Sequence, residues 1–275
     1  LLGDGALSQD CTPRWHKPDR FIADEVQREL TASEFPDNVV DRGEGNYSIT
    51  GCRVLAGLRS VKLSGLLSHE KFIPRQYAHA TVEDRQALIQ GLMDTDGTAD
   101  DRGHCSFCTT SPKMVEDFQY LARSLGYLAT VTPKPEPKYE YNGETRIGRP
   151  AWNIYVTGRN RADLFRLPRK KERATELNHE GGRRIISVER LPEEYETRCI
   201  SVSHPNGLYL TNGFIVTHNS DLMIGCALTA HMNALFLRTE AAQLTSTRQR
   251  LLELKRDEDD WRGNGPYGGF FETSD

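Results

Sequence analysis

Two leucine-rich segments of this 275-residue chain end in the same way, in an aspartate followed by a glycine. One of them carries apolar residues at helical spacing from about Val82 and ends in Leu92-Met-Asp-Thr-Asp96-Gly97. The other is Leu1-Leu-Gly-Asp4-Gly5, which is typical of the last turn of a helix closed by glycine. Because Asp4 and Asp96 are 92 positions apart, the sequence predicts two copies of one helix–strands–helix unit.

The segments that follow each Asp-Gly pair mix helical and strand patterns, so the fold class predicted here is α+β. The expected elements are a helix near 19–30, a strand at 47–50, an amphipathic segment at 53–67, a helix from Val82, a strand at 104–110, a helix at 112–125, strands near 127–132 and 151–157, and a short basic helix at 160–167. Further strands are expected at 208–211 and 214–217, separated by the turn-type pair Asn212-Gly213.

A carboxylate at the C-terminal end of a helix is disfavoured by the helix dipole, and two such ends side by side add like-charge repulsion. This arrangement is favourable when a divalent cation completes it. Asp4 and Asp96 are therefore candidate Mg²⁺ ligands that would activate water and steady the leaving oxygen of a phosphodiester. The alternative is that each Asp-Gly pair only caps its helix. Gly91, in the middle of the second helix, is expected to let another helix approach closely.

The overall charge of −4 hides one basic segment, residues 159–173, in which seven Arg or Lys residues stand against two acids. Its candidate phosphate contacts are Arg159, Arg161, Arg166, Arg169, Lys170 and Lys171, although a solvated surface is the alternative. No apolar run approaches about 18 residues, so no membrane span is predicted. Six scattered cysteines favour a reducing compartment, here the cytoplasm of a bacterium or of a phage-infected cell. Cys105 and Cys108 have the spacing of half a zinc site but would point to opposite faces of a strand.

The stretch from Arg198 to Ser220 places short apolar strands before His218-Asn219-Ser220. The Asn219 side-chain nitrogen can attack the carbonyl of its own residue, closing a five-membered ring and releasing the Ser220 amine. His218 could protonate that amine. An inert β-rich loop is the alternative interpretation.

The motif Leu-x-Gly-Leu-Met-Asp-Thr-Asp-Gly resembles the second LAGLIDADG motif of the dodecapeptide homing endonucleases, and Leu-Leu-Gly-Asp-Gly resembles a truncated first motif. Lys71-Phe-Ile-Pro74 resembles the Lys-x-Ile-Pro block of intein-borne members, and residues 111–126 resemble the helix after the second motif. The resemblance covers roughly residues 1–180. It implies two motif helices packed at the centre, sheets straddling double-stranded DNA, Asp4 and Asp96 as metal-binding catalytic acids and Lys71 as a basic residue near the scissile phosphate. A plain surface lysine is the alternative for Lys71.

The stretch ending at Ser220 resembles the C-terminal splicing region of inteins, which implies the last strands of a Hint fold over residues 181–219. Cys199 stands where most such inteins carry aspartate. In the class three inteins a cysteine there is a nucleophile, with a threonine before the His-Asn pair, and Thr217 matches that mark. Cys199 as a helper or a packing residue stays open, and so does the group that assists Asn219.

Residues 220–275 form a predicted helix and strand that resemble the ATPase of phage terminase large subunits after its phosphate-binding loop. The chain is thus expected to be the C-terminal part of an intein with its endonuclease, joined to a C-extein that begins with Ser220. Its partners would be duplex DNA and a missing N-terminal intein half with its N-extein. ATP and Mg²⁺ would bind only the spliced host. The alternatives are a DNA-packaging ATPase carrying a degenerate, nuclease-inactive intein, and a free-standing endonuclease.

Overall fold

The computed structural model describes residues 1–7, 12–141, 143–174, 200, 202–203 and 207–217. The chain divides into two compact units, Leu1–Gly182 and Arg183–Asp275. Among the residues described, no helix is long and apolar enough to cross a membrane.

The first half of the larger unit is a four-stranded antiparallel sheet with helices beside it. Its strands are β1 (Gly5–Ala6), β2 (Arg14–His16), β3 (Asn38–Asp41) and β4 (Asn46–Thr50), and their order in the sheet is β1-β2-β4-β3. Helix α1 (Arg20–Ala32) connects β2 to β3, and helix α2 (Arg53–Ser60) follows β4. A small core lies between α1 and this sheet and contains Trp15, Ala23, Tyr47 and Ile49, with the rings of Trp15 and Tyr47 stacked.

The second half begins with a short helix, α3 (Arg75–Ala78), and the long motif helix α4 (Val82–Thr95). Its sheet contains β5 (Gly97–Ala99), β6 (Cys105–Thr109), β7 (Leu128–Lys134) and β10 (Ala151–Thr157), in the order β5-β6-β10-β7. Helix α5 (Pro112–Ser124) connects β6 to β7. The two sheets therefore have the same topology, and the predicted internal repeat is confirmed.

The second half also carries elements without an equivalent in the first half of the described chain. A two-stranded hairpin, β8 (Lys138–Tyr141) and β9 (Glu144–Ile147), lies between β7 and β10. A 3-10 turn (Arg161–Leu164) and helix α6 (Pro168–Arg173) follow β10. The single basic helix expected at 160–167 is wrong, since this segment forms a 3-10 turn and the short helix starts at Pro168.

Local sequence signals explain where the two principal helices begin. The Thr81 side chain accepts a hydrogen bond from Asp84 N and caps α4, while the Ser111 side chain accepts one from Met114 N and caps α5. Pro112 occupies the first turn of α5, where a missing N–H costs nothing. The larger core lies between these helices and the second sheet, and its most buried members are Ile89, Met93, Phe107, Phe118, Leu121 and Ile154.

In the second unit, the described residues include one antiparallel hairpin, β11 (Tyr209–Thr211) and β12 (Ile215–Thr217). The two strands were expected here, and both are confirmed. The loop contains three residues rather than the expected pair, because Phe214 joins Asn212 and Gly213 and adopts a left-handed backbone with a φ of 58°.

Candidate active site

Asp4 and Asp96 lie together where the two repeats meet. Each ends a helical turn, since Gly5 N donates to Leu1 O over 3.1 Å and Asp96 N donates to Leu92 O over 3.0 Å. The two carboxyl groups are close enough that each shifts the pKa of the other. The chain thus brings both motif acids into one site, and their catalytic role stays a prediction.

Glycines make this close approach possible. A Cβ atom on Gly3 would overlap the Thr95 side chain and lie 3.2 Å from Asp96 Oδ2. A Cβ atom on Gly5 would lie 2.6 Å from Leu1 Cα, and one on Gly97 would lie 2.6 Å from Met93 Cα. The glycine after each aspartate is therefore required by the tight end of its own helical turn, in the same way in both repeats.

Gly91 does not have the expected role. It is exposed, and a Cβ atom there would meet nothing within 4 Å in the described structure. The prediction that another helix packs closely on Gly91 is therefore wrong for this chain as described.

The two carboxyl groups have opposite pKa shifts. Burial raises the pKa of Asp96 to about 7, and the hydrogen bond with Asp4 and the negative charge of Asp4 act in the same direction. Burial also opposes ionisation of Asp4, but hydrogen bonds with Asp96 and Lys17 and the charges of Lys17 and Lys71 outweigh it and lower its pKa. The two acids therefore titrate as a pair, and the pair loses its second proton near neutral pH.

Lys17 is a site residue that the sequence interpretation missed. Its ammonium lies 2.5 Å from Asp4 Oδ2, and both side chains are 26% exposed. It follows β2 in a segment with no motif, and its contact with Asp4 joins residues 13 positions apart. Its sequence context therefore offers no signal for this role.

Lys71 is buried beside the first motif, so the surface-lysine alternative is wrong. Its predicted role near the scissile phosphate stays a prediction. Its ammonium donates to Gly3 O over 2.5 Å, to Gly5 O over 2.7 Å and to Leu1 O over 3.3 Å. The Ser111 hydroxyl donates to Lys71 O over 2.6 Å and fixes this segment against α5. Burial lowers the pKa of Lys71, and the charges of Asp96 and Asp4 oppose that shift.

Lys170 occupies the equivalent place in the second repeat. Its ammonium donates to Met93 O over 2.9 Å, to Asp94 O over 2.8 Å and to Gly97 O over 2.6 Å, and its pKa is lowered to about 8 by burial. The predicted phosphate contact is wrong for Lys170, because a buried ammonium bound to three carbonyls cannot reach DNA from this position. An ammonium here also neutralises the negative end of the α4 dipole.

Asp94, the other acid of the second motif, does not face Asp4. It is buried, and its carboxylate accepts hydrogen bonds from Arg166 N and Leu167 N at 3.2 and 3.1 Å. Burial raises its pKa, and these backbone hydrogen bonds oppose the shift. Asp94 therefore ties the segment before α6 to the motif helix, while Asp96 is the acid presented to the site.

The remaining residues of the basic segment divide into buried, paired and exposed groups. Arg161 is fully buried, which contradicts its predicted phosphate contact. Arg166 is 2.8 Å from Glu29 and 3.5 Å from Glu25, so its charge is already neutralised by α1. Arg169 is 2.8 Å from Asp19 and half-exposed. Arg159 and Lys171 are exposed, and their predicted DNA contact stays a prediction.

Most of the predicted splicing residues, Cys199, His218, Asn219 and Ser220, lie outside the described residues. Thr217 is described and ends β12, where it pairs with Tyr209. Cys105 is buried and Cys108 exposed on β6, which confirms that they point to opposite faces of the strand.

The donors present at the junction fit a small divalent cation. Asp4 and Asp96 offer adjacent carboxylate oxygens, which Mg²⁺ and Mn²⁺ prefer. Within the described part of the chain, no group of three or more His, Cys, Asp or Glu residues could hold a metal ion. A cation at this site would accordingly take its remaining oxygens from water and from a phosphate.

Residues 83–166, which include Asp96 and the whole second sheet, match the model of a family described as LAGLIDADG-like domain. The replicative DNA helicase DnaB of Mycobacterium intracellulare is 28% identical over 224 residues, covering 78% of this chain and 37% of the helicase. The chain thus spans little more than a third of the length of that curated relative.

Two structures of the homing endonuclease I-DmoI also resemble the chain. A study of its mesophilic variants gives a TM-score of 0.36 and 12% identity, over 56% of this chain and 78% of that one. Its complex with DNA and Mn gives a TM-score of 0.35 and 11% identity, over 53% of this chain and 75% of that one.

Proposed function

We propose that residues 1–180 form a homing endonuclease domain that hydrolyses phosphodiester bonds of duplex DNA with Mg²⁺ held by Asp4 and Asp96. The observation that carries this proposal is the close approach of the two motif ends, with Asp4 and Asp96 side by side at the junction of two repeats of the same topology. The LAGLIDADG-like match supports it, because the matched residues 83–166 contain the second acid.

In this proposal, the acids and the lysines of the site have different roles. Asp96 loses its proton near pH 7, so the pair gains its second negative charge in the range where the enzyme would act. Lys71 and Lys170 hold the ends of the two motifs through six backbone carbonyls and thereby fix the positions of both acids. A bound Mg²⁺ would lower the pKa of its water and neutralise charge that develops on the phosphate.

Both sheets offer exposed side chains at alternate positions that suit a nucleic acid. On β2 these are Arg14 and His16, and on β7 they are Thr130, Thr132 and Lys134. Alternate residues of a strand share a face, so each row presents donors toward one side of its sheet. These rows are the candidate contacts with base edges and phosphates.

The test of the nuclease is direct. The full-length protein is incubated with duplex DNA that carries the host gene without the inserted segment, with Mg²⁺ or with EDTA. Cleavage at one place in the Mg²⁺ sample alone is the expected result. Intact DNA at every Mg²⁺ concentration would instead favour the alternative, a degenerate insertion that has lost its nuclease.

We also propose that residues 181–220 splice the protein. The Asn219 side-chain nitrogen would attack its own carbonyl carbon, forming a succinimide as the bond to Ser220 breaks. His218 would give a proton to the leaving amine. Before this step, Ser220 Oγ would receive the acyl group of the N-extein, with Cys199 as the preceding nucleophile and Thr217 beside the His-Asn pair. The two-stranded hairpin at 209–217 is compatible with this proposal.

Mass spectrometry of the complete precursor tests splicing. The ligated exteins should appear as a species lacking the intein mass, and Asn219→Ala should abolish release of Ser220. Release at an unchanged rate in that variant would exclude cyclisation of Asn219.

For the host, we propose a terminase-like ATPase from residues 220–275, with a helicase as the second candidate. The match to the helicase covers 78% of this 275-residue chain, which is about 214 residues. A continuous match of that length must include positions from about 62 to 214, whether it begins at the start of the chain or finishes at its end. The likeness thus falls mainly on the endonuclease and splicing regions and says little about the host. The residues encoded before the intein test whether the host is an ATPase, since a Gly-Lys ending is required for a phosphate-binding loop completed by Ser220.

A further inference from the structure

The two acids of the site have different neighbours, although the repeats around them are alike. Lys17 N donates to Gly45 O over 2.8 Å, which anchors its backbone between β2 and the turn before β4. Its ammonium reaches Asp4 Oδ2 at 2.5 Å. The residue at the matching distance after Asp96 is Thr109, the last residue of β6, so the second repeat has no lysine at this position.

The Lys17 ammonium lies against Asp4 Oδ2, one of the two oxygens that Asp4 offers to a cation. A divalent ion and an ammonium attract the same carboxylate oxygen, and they repel each other at short distance. The ion pair is only a quarter exposed, so water screens it less than a surface pair.

We propose that Lys17 is the resident counter-ion of Asp4, which a divalent cation must displace, and that it makes the Asp4 side of the site the weaker cation-binding side. The proposal rests on the nuclease function proposed above. The lysine side chain has four methylene carbons joined by rotatable bonds. Its ammonium can therefore leave Asp4 while the backbone stays anchored to Gly45. Once released at the rim of the site, it is free to contact a DNA phosphate.

The test measures Mn²⁺ binding to the full chain without DNA, from the electron paramagnetic resonance signal of free Mn²⁺. Lys17→Met is expected to bind Mn²⁺ roughly tenfold more tightly than the wild type, because a repelling charge is removed. The matched control is Lys113→Met, which removes the same charge from an ion pair with Glu116 and Asp117 on α5. This control should leave the affinity unchanged.

Combining Lys17→Met with a second substitution, at Asp96 or at Asp4, shows whether Lys17 acts through Asp4. The gain from Lys17→Met should persist with Asp96→Asn and disappear with Asp4→Asn. Equal Mn²⁺ affinities for wild type and Lys17→Met would overturn this inference while leaving the nuclease proposal intact. An equal gain from Lys113→Met would also overturn it, since only net charge would then matter. Absence of Mn²⁺ binding in every variant would overturn the metal site of the proposed function as well.

Discussion

Lys71 and Lys170 occupy equivalent positions in the two repeats, and each buried ammonium donates to three backbone carbonyls at the end of a motif. Lys71 binds the carbonyls of residues 1, 3 and 5, and Lys170 those of residues 93, 94 and 97. The offset of 92 that relates Asp4 to Asp96 also relates residue 1 to 93 and residue 5 to 97. The repeat therefore extends from the acids to the groups that hold them.

Replacing either lysine by methionine should destabilise the fold by about 2–4 kcal/mol, because buried carbonyls lose a charged donor and methionine retains the volume. The measurement is the free energy of unfolding in urea. Lys171→Met is the control, since Lys171 neighbours Lys170 but is exposed, and it should change stability by less than about 0.5 kcal/mol. Equal effects at 170 and 171 would contradict the structural role of Lys170.

Gly3→Ala should destabilise the protein by more than about 2 kcal/mol and disrupt the acid pair, because its methyl group would overlap the Thr95 side chain. Gly91→Ala is the matched control within α4. The space beside Gly91 is open, and alanine favours a helix by up to about 1 kcal/mol, so this change should stabilise. Thermal unfolding of both variants checks the pair of expectations. Destabilisation by Gly91→Ala would show that another element packs there.

Stability should depend on pH through Asp96. Its folded pKa of about 7 lies above the ordinary value of 3.8, so the folded state binds more protons and stability falls as pH rises from about 4 to 7. Asp96→Asn removes this loss of stability and should be more stable than wild type by roughly 4 kcal/mol at pH 8, with little difference near pH 4. Asp4 has a lowered pKa and contributes in the opposite sense, losing its stabilisation as pH falls below its ordinary range.

Urea unfolding in EDTA at several pH values measures this difference. Asp101→Asn serves as the control, because the Asp101 side chain is 93% exposed. A stability difference between Asp96→Asn and wild type that does not change with pH would contradict the raised pKa.

Much of the fold could be predicted from local signals. The apolar spacing and the Thr81 cap define α4, and Pro112 after Ser111 defines the start of α5. The matching Asp-Gly pairs indicated the repeat because the glycine in each pair is required by the structure. It stands at a helix end that has no room for a Cβ atom. Helix α2 ends at Ser60, short of the amphipathic segment, and Lys62 then adopts a left-handed backbone.

The residues that hold the two acids in position could not be predicted from local signals. A lysine in a basic run looks solvated, and only the packing of α6 against β5 and the 3-10 turn places Lys170 inside. The same holds for Arg161, which the sequence charge alone assigned to the surface. Lys17 meets Asp4 through tertiary contact, for which residue spacing gives no signal. Charge counts do not report burial, and burial is decided by segments distant in sequence.

The most direct test of the central proposal is Mg²⁺-dependent cleavage of the intein-free host gene by wild type, Asp4→Asn, Asp96→Asn and the exposed control Asp101→Asn. Circular dichroism confirms in parallel that each variant is folded. The account predicts that the first two variants lose double-strand cleavage while Asp101→Asn cuts like wild type. Cleavage at the wild-type rate by folded Asp4→Asn and Asp96→Asn would contradict it.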